Sequence, residues 1–578
     1  MGTVHRTGCV LCPQNCGLEV EVENNRIVKV RGDKGNVRSL GYVCRKGLNI
    51  ANHQHNADRL KYPLKRVGDR FERISWDQAI DEIAAKLKEI VGEYGPKSFA
   101  YMGGGGQGCH FEAAFGVRLM RGLGSRYHYS PLTQEFSGLF WVNGRIYGRQ
   151  NVHTEIDAEE TDFLLVFGWN GMESHQIPQA PRQLQKIARD PNRQLVVVDP
   201  RRSETAKVAD IHLPIRPGTD ALLMRAMIAV ILQEGWENRE YMERHTSGME
   251  AIRDLFMSFD APRAVKTCHL DFDQVREICR QFATRRSCLR YDLGIMMNRH
   301  SAVSSYLAAT LLAICGRIGV RGGNIFHGQM IPLGSHSDER DPRTWRTVAT
   351  NFPAIVGCFP PAAMPEEILS DRPDRLRAVI VSGAHPLRSY PDTTAYEEAF
   401  KRLDLLVTAE LAMTETAVLS HYILPARSGY ESWDGTFFPL TFPGIYFQMR
   451  RPIIEPEGEP LELGEIHLRL ADRLGLIPPI PESLYRAAEE GHVAFGLALM
   501  EYAGKEPAAM GAMPFILGKT LGKAKGSVHL AALWGMMQTA PKALRKNAAR
   551  AGFKPGMMMG EELFQKIMDH PEGLWIGR

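Results

Sequence analysis

Four cysteines near the start of the chain have the spacing of a metal-binding set. Cys9, Cys12, Cys16 and Cys44 form the pattern C-x2-C-x3-C-x27-C. Two tight loops can bring three thiolates around one object, and a remote fourth thiolate closes the tetrahedron. Zinc and a [4Fe–4S] cluster both accept four thiolates, but structural zinc sites usually use two C-x2-C pairs. The second pair is missing here, so the spacing favours a [4Fe–4S] cluster, with zinc as the alternative.

The segment between the third and fourth cysteines predicts the element that holds these loops. Apolar and polar residues alternate in "LEVEVENNRIVKVRGDK", and "ENN" occupies a turn position. This pattern is typical of a β-hairpin. Lys46 follows Cys44 by two residues, so it either lies beside the bound group or is an ordinary surface lysine.

Length and composition limit the classes of protein to consider. A chain of 578 residues exceeds one hydrophobic core, so several domains are expected. With 44% hydrophobic and 24% charged residues and a net charge of +4, nothing indicates a nucleic-acid partner. There is no apolar run of membrane-spanning length, and Cys9 leaves no room for a signal peptide. The sequence therefore predicts a cytoplasmic protein.

Strands and helices alternate from about residue 75. Short buried runs such as "FLLVF" and "QLVVV", and later "AVIVS" and "LDLLVT", are separated by amphipathic helices. The alternation predicts two Rossmann-like parallel sheets, around 160–200 and 378–410. Ligands bind such sheets at the carboxyl ends of the strands, here the loops 168–175, 199–205 and 382–389. The glycine run "GGGGQG" (103–108) matches a dinucleotide fingerprint only trivially and predicts a tight strand-to-helix loop.

Several dissimilar motifs follow each other in one order along residues 5–500. They are "CVLCPQNC…GYVCRKG", "ISWDQAIDEIA", "VVVDPRRSETAKVADIHLPIRPGTDALL", "GRIGVRGGN", "GAHPLRSYPD" and "MTETAVLSHYILPA". In this order they resemble the molybdopterin oxidoreductase superfamily, also called the dimethyl sulfoxide reductase family, which includes formate dehydrogenases. The fold class implied is α/β: a small N-terminal [4Fe–4S] lobe followed by two Rossmann-like doubly wound lobes around a central cofactor crevice.

The resemblance implies two cofactors and a set of binding residues. It implies a [4Fe–4S] cluster on the four cysteines, a molybdenum or tungsten centre held by two pterin guanine dinucleotides, and Lys46 between the cluster and a pterin. The positions matching a guanosine-dinucleotide site are Asp199, Arg201, Thr205, Gly218 and Asp220. The positions matching other cofactor-lining loops are Gly168, Asn170, His175, Gly383, His385, Thr414 and Glu415. His385 departs from the more usual asparagine.

The reactive-centre segment departs from the family pattern. "RYHYSPLTQEFSG" contains neither cysteine nor aspartate, and the position of the usual metal ligand falls near Pro131. The cysteine–histidine pair of formate dehydrogenases is absent, and their substrate-binding arginine is replaced near Tyr306, which counts against formate as the substrate. His128, Gln134 and Glu135 are the candidates for handling substrate or protons, because histidine and buried glutamate can exchange protons near neutral pH.

The predicted domains are residues 1–60 for the cluster, 61–139 with 335–500 for one lobe, 140–334 for the dinucleotide lobe, and 501–578 for a tail. Family members usually continue with a β-rich domain that closes over both pterins. We therefore expect a separate chain to supply this cap, a truncated chain, or incomplete cofactor binding. Residues 511–560 carry eight lysines and arginines and no acidic residue. This segment predicts either docking to an acidic partner or membrane surface, or helices with a basic solvated face and a methionine-rich buried face.

The function predicted from these features is a two-electron or oxygen-atom transfer on a small-molecule substrate. Electrons would pass through the cluster to an iron–sulfur or flavin protein or subunit. Two alternatives stay open: a non-catalytic electron-transfer or scaffold subunit, and a non-redox hydratase like acetylene hydratase.

Overall fold

The computed structural model describes residues 2–104, 108–330, 334–439, 441–442 and 444–577. Residues 105–107 of the predicted glycine loop therefore lie outside the described part. The chain divides into two compact units. Unit 1 comprises Met1–Gln134, Ser337–Pro439 and Gly444–Arg578, and unit 2 comprises Glu135–His336 with Leu440–Pro443. The four-part domain division drawn from the sequence stays a prediction.

The strands and helices have the following bounds. The strands are β1 (Thr3–Gly8), β2 (Gly17–Glu23), β3 (Arg26–Gly32), β4 (Leu64–Val67), β5 (Arg70–Arg73), β6 (Phe99–Met102), β7 (Tyr127–Tyr129), β8 (Thr154–Ile156), β9 (Phe163–Phe167), β10 (Gln194–Val198), β11 (Ile211–Leu213), β12 (Ser287–Tyr291), β13 (Asn324–Phe326), β14 (Ala378–Ser382), β15 (Leu405–Glu410), β16 (Tyr422–Pro425), β17 (Asp434–Gly435), β18 (Ile445–Phe447), β19 (Met449–Arg450) and β20 (Leu574–Ile576). The helices are α1 (Arg45–Leu48), α2 (Ile50–Gln54), α3 (Trp76–Tyr94), α4 (Glu112–Gly122), α5 (Leu132–Glu135), α6 (Ser137–Ile146), α7 (Gly171–Ser174), α8 (Ala180–Arg189), α9 (Glu204–Val208), α10 (Asp220–Gln233), α11 (Arg239–His245), α12 (Met249–Met257), α13 (Ala261–Thr267), α14 (Phe272–Thr284), α15 (Leu293–Met296), α16 (Ser301–Ile314), α17 (Met364–Leu369), α18 (Pro386–Ser389), α19 (Thr393–Lys401), α20 (Glu415–Leu419), α21 (Leu463–Arg473), α22 (Glu482–Glu490), α23 (His492–Lys505), α24 (Ala509–Leu517), α25 (Lys523–Lys525), α26 (Val528–Gln538), α27 (Lys542–Arg550) and α28 (Met559–Asp569).

The N-terminal sheet of unit 1 contains the predicted hairpin. β2 pairs with β1 and β3 in antiparallel register, and Glu23 opposes Arg26 across the turn. Asn24 and Asn25 both have positive φ, of 50° and 60°, which is the backbone of a tight hairpin turn and suits asparagine. Leu18 and Val20 point into a small core and are fully buried. The alternation of apolar and polar residues therefore holds the cysteine loops at one end of a packed sheet.

Unit 1 is built on a seven-stranded sheet with the order β5-β4-β16-β15-β14-β6-β7. The five strands from β16 to β7 are parallel, and β4 joins β16 in antiparallel register. β14 is buried along its whole length, as its continuous apolar run requires. Helix α3 begins after Ser75, whose hydroxyl accepts a hydrogen bond from the Gln78 N–H. The carboxyl ends of the five parallel strands meet at one edge of the sheet.

Unit 2 contains a parallel four-stranded sheet with the order β11-β10-β9-β12. The strand β9 lies in the middle, and all five of its side chains are buried. The apolar helix α10, with residues such as Leu223 and Ile228 fully buried, packs in the core against this sheet. The prediction of an α/β protein with an N-terminal lobe and two parallel sheets is confirmed.

The C-terminal helices α22–α28 belong to unit 1, and the last strand, β20, pairs with β18. The methionine-rich buried face predicted for this segment is found for Met537 and Met559, which are buried. It is wrong for Met557 and Met558, whose side chains are 72% and 51% exposed. Among the described residues, no helix combines the length and the hydropathy needed to cross a bilayer.

Candidate functional site

The loop that carries the first three cysteines is held by its own backbone. The Cys9 N–H donates to the Cys16 carbonyl at 2.9 Å, and the Asn15 side-chain amide donates to the Cys9 carbonyl at 2.9 Å. Asn15 has φ of 40°, which lets the chain reverse between Cys12 and Cys16. These bonds fix the loop without using the sulfur atoms.

The four thiols lie close enough to influence each other's titration. Burial, and after it the charges of Cys12, Cys16 and Cys44, raise the pKa of Cys9 to about 12. Burial raises the pKa of Cys16 to about 11, although the buried Arg38 guanidinium favours the thiolate. Buried sulfurs with pKa values this high stay protonated unless a cation takes the place of the protons, which fits an iron–sulfur cluster. A side chain at Gly47 would lie 3.5 Å from the Cys9 sulfur, so glycine keeps this approach open.

The cysteine loop touches the loop that follows β6. Val10 is almost buried, and Cβ atoms built on Gly108 and Gly429 would lie 3.4 Å and 2.8 Å from its side chain. The next residue after Gly108 is Cys109, at the carboxyl edge of the seven-stranded sheet. Lys46 is exposed on α1, and its charge favours the thiolate of Cys12. The cluster loop and the sheet edge are therefore direct neighbours inside unit 1.

The carboxyl edge of the seven-stranded sheet brings a thiol near a carboxyl. Gly383, after β14, has φ of +56°, and a Cβ there would lie 3.0 Å from the Cys109 sulfur. Glu410 ends β15. Burial raises its pKa to about 7, although the hydrogen bond that it accepts from the Leu411 N–H acts to lower the pKa. The charge of Glu410 also raises the pKa of Cys109, which burial already raises strongly. Glycine at 383 thus lets the β14 loop close on a thiol beside a carboxyl poised to titrate near neutral pH.

A buried polar network lies next to this sheet edge. The Tyr101 hydroxyl donates to Glu112, and the Gly104 N–H donates to the same carboxylate at 3.2 Å. His467 Nε2 lies 3.1 Å from Glu112 and 3.3 Å from the Ser382 hydroxyl. His467 Nδ1 is buried and has no hydrogen-bond partner among the described residues. Such a network can hold or pass a proton in a region closed to water.

The predicted residues His385, Thr414 and Glu415 lie together at the start of α20. The Thr414 hydroxyl caps α20 by accepting from the Ala417 N–H. The two ring nitrogens of His385 contact Thr416 and Glu415, each at 2.8 Å. Hydrogen bonds from Arg388, and then from the backbone and His385, lower the pKa of Glu415 to about 2. The histidine that replaces asparagine is thus held by its neighbours at the same sheet edge as Gly383.

The corresponding edge of unit 2 is built around Asn170, which follows β9. Its side-chain oxygen accepts from the Thr205 N–H at 3.1 Å and from the Thr205 hydroxyl at 2.8 Å. Its amide donates to Glu204 at 2.7 Å, and Glu204 forms an ion pair with Arg201 at 3.1 Å. The Asp199 carboxylate accepts from the Arg201 N–H at 2.8 Å. Four predicted residues therefore form one connected surface at the carboxyl ends of β9 and β10: Asn170, Asp199, Arg201 and Thr205.

The backbone at this edge is unusually close-packed. Gly168 has φ of +56°, and a Cβ there would meet Gly294 at 3.0 Å. The Trp169 indole N–H is buried and has no hydrogen-bond partner among the described residues. An unpaired buried donor in a glycine-bounded loop fits a polar ligand that supplies the missing acceptor.

The remaining predicted residues of unit 2 surround the same strands. His175 is buried and has φ of 67° at the end of α7. Gly218 has φ of +80° and open space around it, and Asp220 begins α10. Burial raises the pKa of Asp220, and the charge of Asp199 adds to this shift. A carboxyl near an exposed glycine turn fits recognition of a sugar hydroxyl or a base edge.

The three predicted catalytic residues do not form one cluster in either unit. His128 lies in β7, with Nε2 3.1 Å from the Gly103 carbonyl and Nδ1 3.4 Å from the Cys358 sulfur. Burial lowers the pKa of His128, but Cys358 and Gly103 outweigh this effect and raise it. Gln134 accepts from the Ala362 N–H at 3.1 Å. Glu135 is described with unit 2, where burial and the charge of Asp292 raise its pKa.

Several residues at the carboxyl edge of the seven-stranded sheet and in the network beside it were not predicted from the sequence. Glu410, Glu112 and His467 come from β15, α4 and α21, which are far apart in the chain. The position of Glu410 at the end of a buried strand was the one available signal. The ring of His110, which follows Cys109, contacts the Gly435 carbonyl at 3.1 Å.

Comparison with protein families agrees with this architecture. Residues 59–472 match the family described as "Molybdopterin oxidoreductase", and residues 3–56 match "Molybdopterin oxidoreductase Fe4S4 domain". The first match covers more than half of the chain. The chain belongs to the molybdopterin oxidoreductase family. Its cofactors are accordingly a [4Fe–4S] cluster in the N-terminal domain and a molybdenum or tungsten pterin.

Individual relatives are distant but cover most of the chain. The "Probable oxidoreductase YyaE" of Bacillus subtilis is 25% identical over 87% of this chain and 73% of its own length. The "F420-dependent formate dehydrogenase subunit alpha" of Methanocaldococcus jannaschii is 28% identical over 81% of this chain and 70% of its own. The solved structure of acetylene hydratase from Pelobacter acetylenicus superimposes with a TM-score of 0.69 at 24% identity, over 82% of this chain and 69% of that one. At this identity the superposition supports the fold alone.

Proposed function

We propose that this protein catalyses a two-electron or oxygen-atom transfer on a small molecule and exchanges the electrons through its [4Fe–4S] cluster. When bound, the molybdenum or tungsten pterin supplies the two-electron chemistry. The chain's own residues bind the cofactors, exclude water and hold protons. The four predicted domains and the predicted binding residues are part of this proposal.

The contact between Val10 and Gly108 is the observation that carries the proposal. Val10 follows the cluster ligand Cys9, and Gly108 precedes Cys109, which lies beside Gly383 at the sheet edge. The two loops meet beside Gly429, where a Cβ would lie 2.8 Å from the Val10 side chain and 3.1 Å from the Gly108 carbonyl oxygen. A short, packed path from the cluster to the sheet edge supports electron passage between them. A scaffold that carries no electrons has no need for this close contact.

Glu410 is the proposed proton-holding group at the sheet edge. With its pKa raised by burial to about 7, the carboxyl is half protonated near neutral pH and can accept or return a proton as electrons move. The Glu112–His467 pair, with its unpaired Nδ1, is a second proton site in the same unit. His128, Gln134 and Glu135 stay proposed contributors to substrate binding or proton transfer.

The edge of unit 2 is the proposed binding surface for a guanine dinucleotide. The Asn170–Thr205–Glu204 network positions Arg201 and Asp199 at its surface. A guanidinium can bind a phosphate in bidentate fashion, and a carboxylate can accept from ribose or guanine N–H and O–H groups. Lys46 is proposed to lie between the cluster and the pterin, where its charge favours the reduced state.

An electron-transfer protein or subunit of the iron–sulfur or flavin type is proposed as the partner, in the cytoplasm. Two relatives support a partner, because both are alpha subunits of F420-dependent formate dehydrogenases. Among the described residues no two of the ten cysteines form a disulfide, which is typical of a reducing compartment.

The test is anaerobic turnover with an artificial electron dye and the substrates named for the relatives. Formate, nitrate and acetylene would be mixed with metal-loaded protein while cluster reduction is followed by electron paramagnetic resonance. We expect at least one redox substrate to change the cluster's oxidation state. Acetylene consumed without any electron exchange would replace the proposal with a hydratase. Loaded protein that exchanges no electrons with dye or substrate would support the scaffold alternative.

A further inference from the structure

A large apolar groove lies among the C-terminal helices of unit 1. Its volume is about 950 Å³, and it is lined by α4, α23, α24, α26 and the residues before α28. Trp534 and Leu517 are buried in its floor. None of the predicted cofactor or catalytic residues lines it. The groove therefore calls for an explanation separate from the redox site.

The walls of the groove expose large apolar side chains to water. Val493, Leu497 and Met500 follow each other on α23 at intervals of four and three residues, and they are 51%, 55% and 54% exposed. Met510 and Met557 face the same groove and are 59% and 72% exposed. A stripe at helical spacing combined with exposed methionines is typical of a surface that another chain covers.

The polar groups inside the groove already have partners. The Glu561 carboxylate contacts the His492 ring at 3.0 Å and accepts from the Trp534 indole N–H at 2.8 Å. Burial acts to raise the pKa of Glu561, but the hydrogen bonds from His492, Gln565 and Trp534 prevail and lower it to about 2. The one acidic side chain of the lining is thus engaged internally. A ligand in the groove would therefore bind mainly through apolar contact.

The rim of the groove is basic. Arg118 and Arg545 line it, and Lys542 and Lys546 are exposed on α27, the helix that carries Arg545. Within the described ranges, Arg118, Lys542 and Lys546 take part in no ion pair. The rim therefore attracts negative charge on whatever covers the apolar floor.

We propose that this groove binds an amphipathic helix of a partner polypeptide, with an apolar stripe flanked by acidic residues. The stripe from Val493 to Met500 is roughly 10 Å long at 1.5 Å per residue, which matches two turns of a facing helix. Unbranched methionine side chains adapt to such a helix. An acyl chain would instead need a cavity that encloses it, whereas these walls are more than half exposed.

The probe is a fluorescein-labelled synthetic helix of three to four turns, with leucine at i, i+3, i+4 and i+7 and glutamate on the flanks. A matched peptide carries lysine in place of every glutamate. Binding to the full-length protein is followed by fluorescence anisotropy, with and without bound metal. We expect saturable binding of the acidic peptide that weakens with salt, and at least about tenfold weaker binding of the basic one.

Two pairs of variants locate the binding. Leu497→Ser is compared with Leu255→Ser, which is 58% exposed on α12 of unit 2. Arg118→Glu is compared with Lys266→Glu, which lies on α13 of unit 2. We expect at least about fivefold weaker binding for each groove variant and no change for its control. Met500→Ser serves as a second apolar test, since its exposed side chain is not needed for folding.

Three results would overturn the proposal. The first is the absence of saturable binding by the acidic peptide. The second is equal affinity for the acidic and basic peptides, or equal binding by groove and control variants. The third is binding of dodecanoate at this groove with no binding of the acidic helix, which would make it a lipid site. None of these results depends on turnover, so they leave the proposed redox function to its own test.

Discussion

The close approach of Gly168 to Gly294 yields a prediction that separates cofactor binding from folding. A Cβ on Gly168 would meet the Gly294 backbone and the Ile295 side chain at 3.0 Å, and its φ of +56° disfavours any other residue. Gly168→Ala therefore costs about 1 kcal/mol for the left-handed backbone and about 1–3 kcal/mol for overpacking. Gly235→Ala is the matched control, because Gly235 has φ of +72° with open space around it.

The assay is thermal unfolding combined with metal analysis of each purified variant. Gly168→Ala is expected to lower the melting temperature of unit 2 by several degrees and to lose most of the molybdenum or tungsten, while iron is retained in unit 1. Gly235→Ala is expected to lose about 1 kcal/mol and keep both metals. Gly294→Ala, whose Cβ would lie 2.5 Å from the Gly168 carbonyl oxygen, should behave like Gly168→Ala. Wild-type molybdenum or tungsten content in Gly168→Ala would refute the assignment of this loop to the cofactor.

Three further predictions concern single side chains. Burial raises the pKa of Glu410 in the folded state to about 7, above its ordinary 4.5. Between these two pH values the folded state binds an extra proton. The free energy of unfolding of the wild type therefore falls, by at most about 3 kcal/mol, as pH rises through this window. In Glu410→Gln this loss disappears, which melting curves from about pH 5 to about pH 8 would detect; an unchanged pH profile would contradict the buried carboxyl. Cys12→Ser should reduce iron per chain and bleach the cluster's visible absorption, and full iron retention would remove Cys12 from the ligand set. Asn170→Ala leaves the Thr205 donors unpaired, so we expect about 1–2 kcal/mol of destabilisation by differential scanning calorimetry, whereas the exposed Asn192→Ala should cost less.

Local elements could be predicted from the sequence because their signals are local. Ser75 at the start of α3 and Asn24–Asn25 in the hairpin turn each act through neighbouring backbone groups. The buried strands β9, β10, β14 and β15 are continuous apolar runs, which sequence alone reveals. The parallel arrangement followed from the helices between them.

The seven-stranded sheet as a whole could not be predicted, because its pairing joins distant segments. β4 pairs with β16 although more than 300 residues separate them, and β6 pairs with β14. The same long-range pairing brings Glu410 and Cys109 together and sets Cys358 against His128. No local pattern in a single sequence predicts these long-range contacts.

The site residues were predictable where a motif carries them and not where only the fold does. The four cysteines have a diagnostic spacing, and the "DPRRSET" loop follows a buried strand. Helical spacing of apolar residues does not show whether a helix face is buried or exposed. Val493, Leu497 and Met500 have the spacing of a buried face, so sequence alone could not show that Met500 is exposed. Only the arrangement of α23 and α24 leaves this stripe open to water.

The measurement that tests the central claim most directly is metal content per chain, by mass spectrometry on protein purified without oxygen. The account predicts about four irons and about one molybdenum or tungsten per chain. Iron without molybdenum or tungsten would contradict a catalytic role for this chain on its own. Zinc in place of iron would contradict the cluster built on Cys9, Cys12, Cys16 and Cys44.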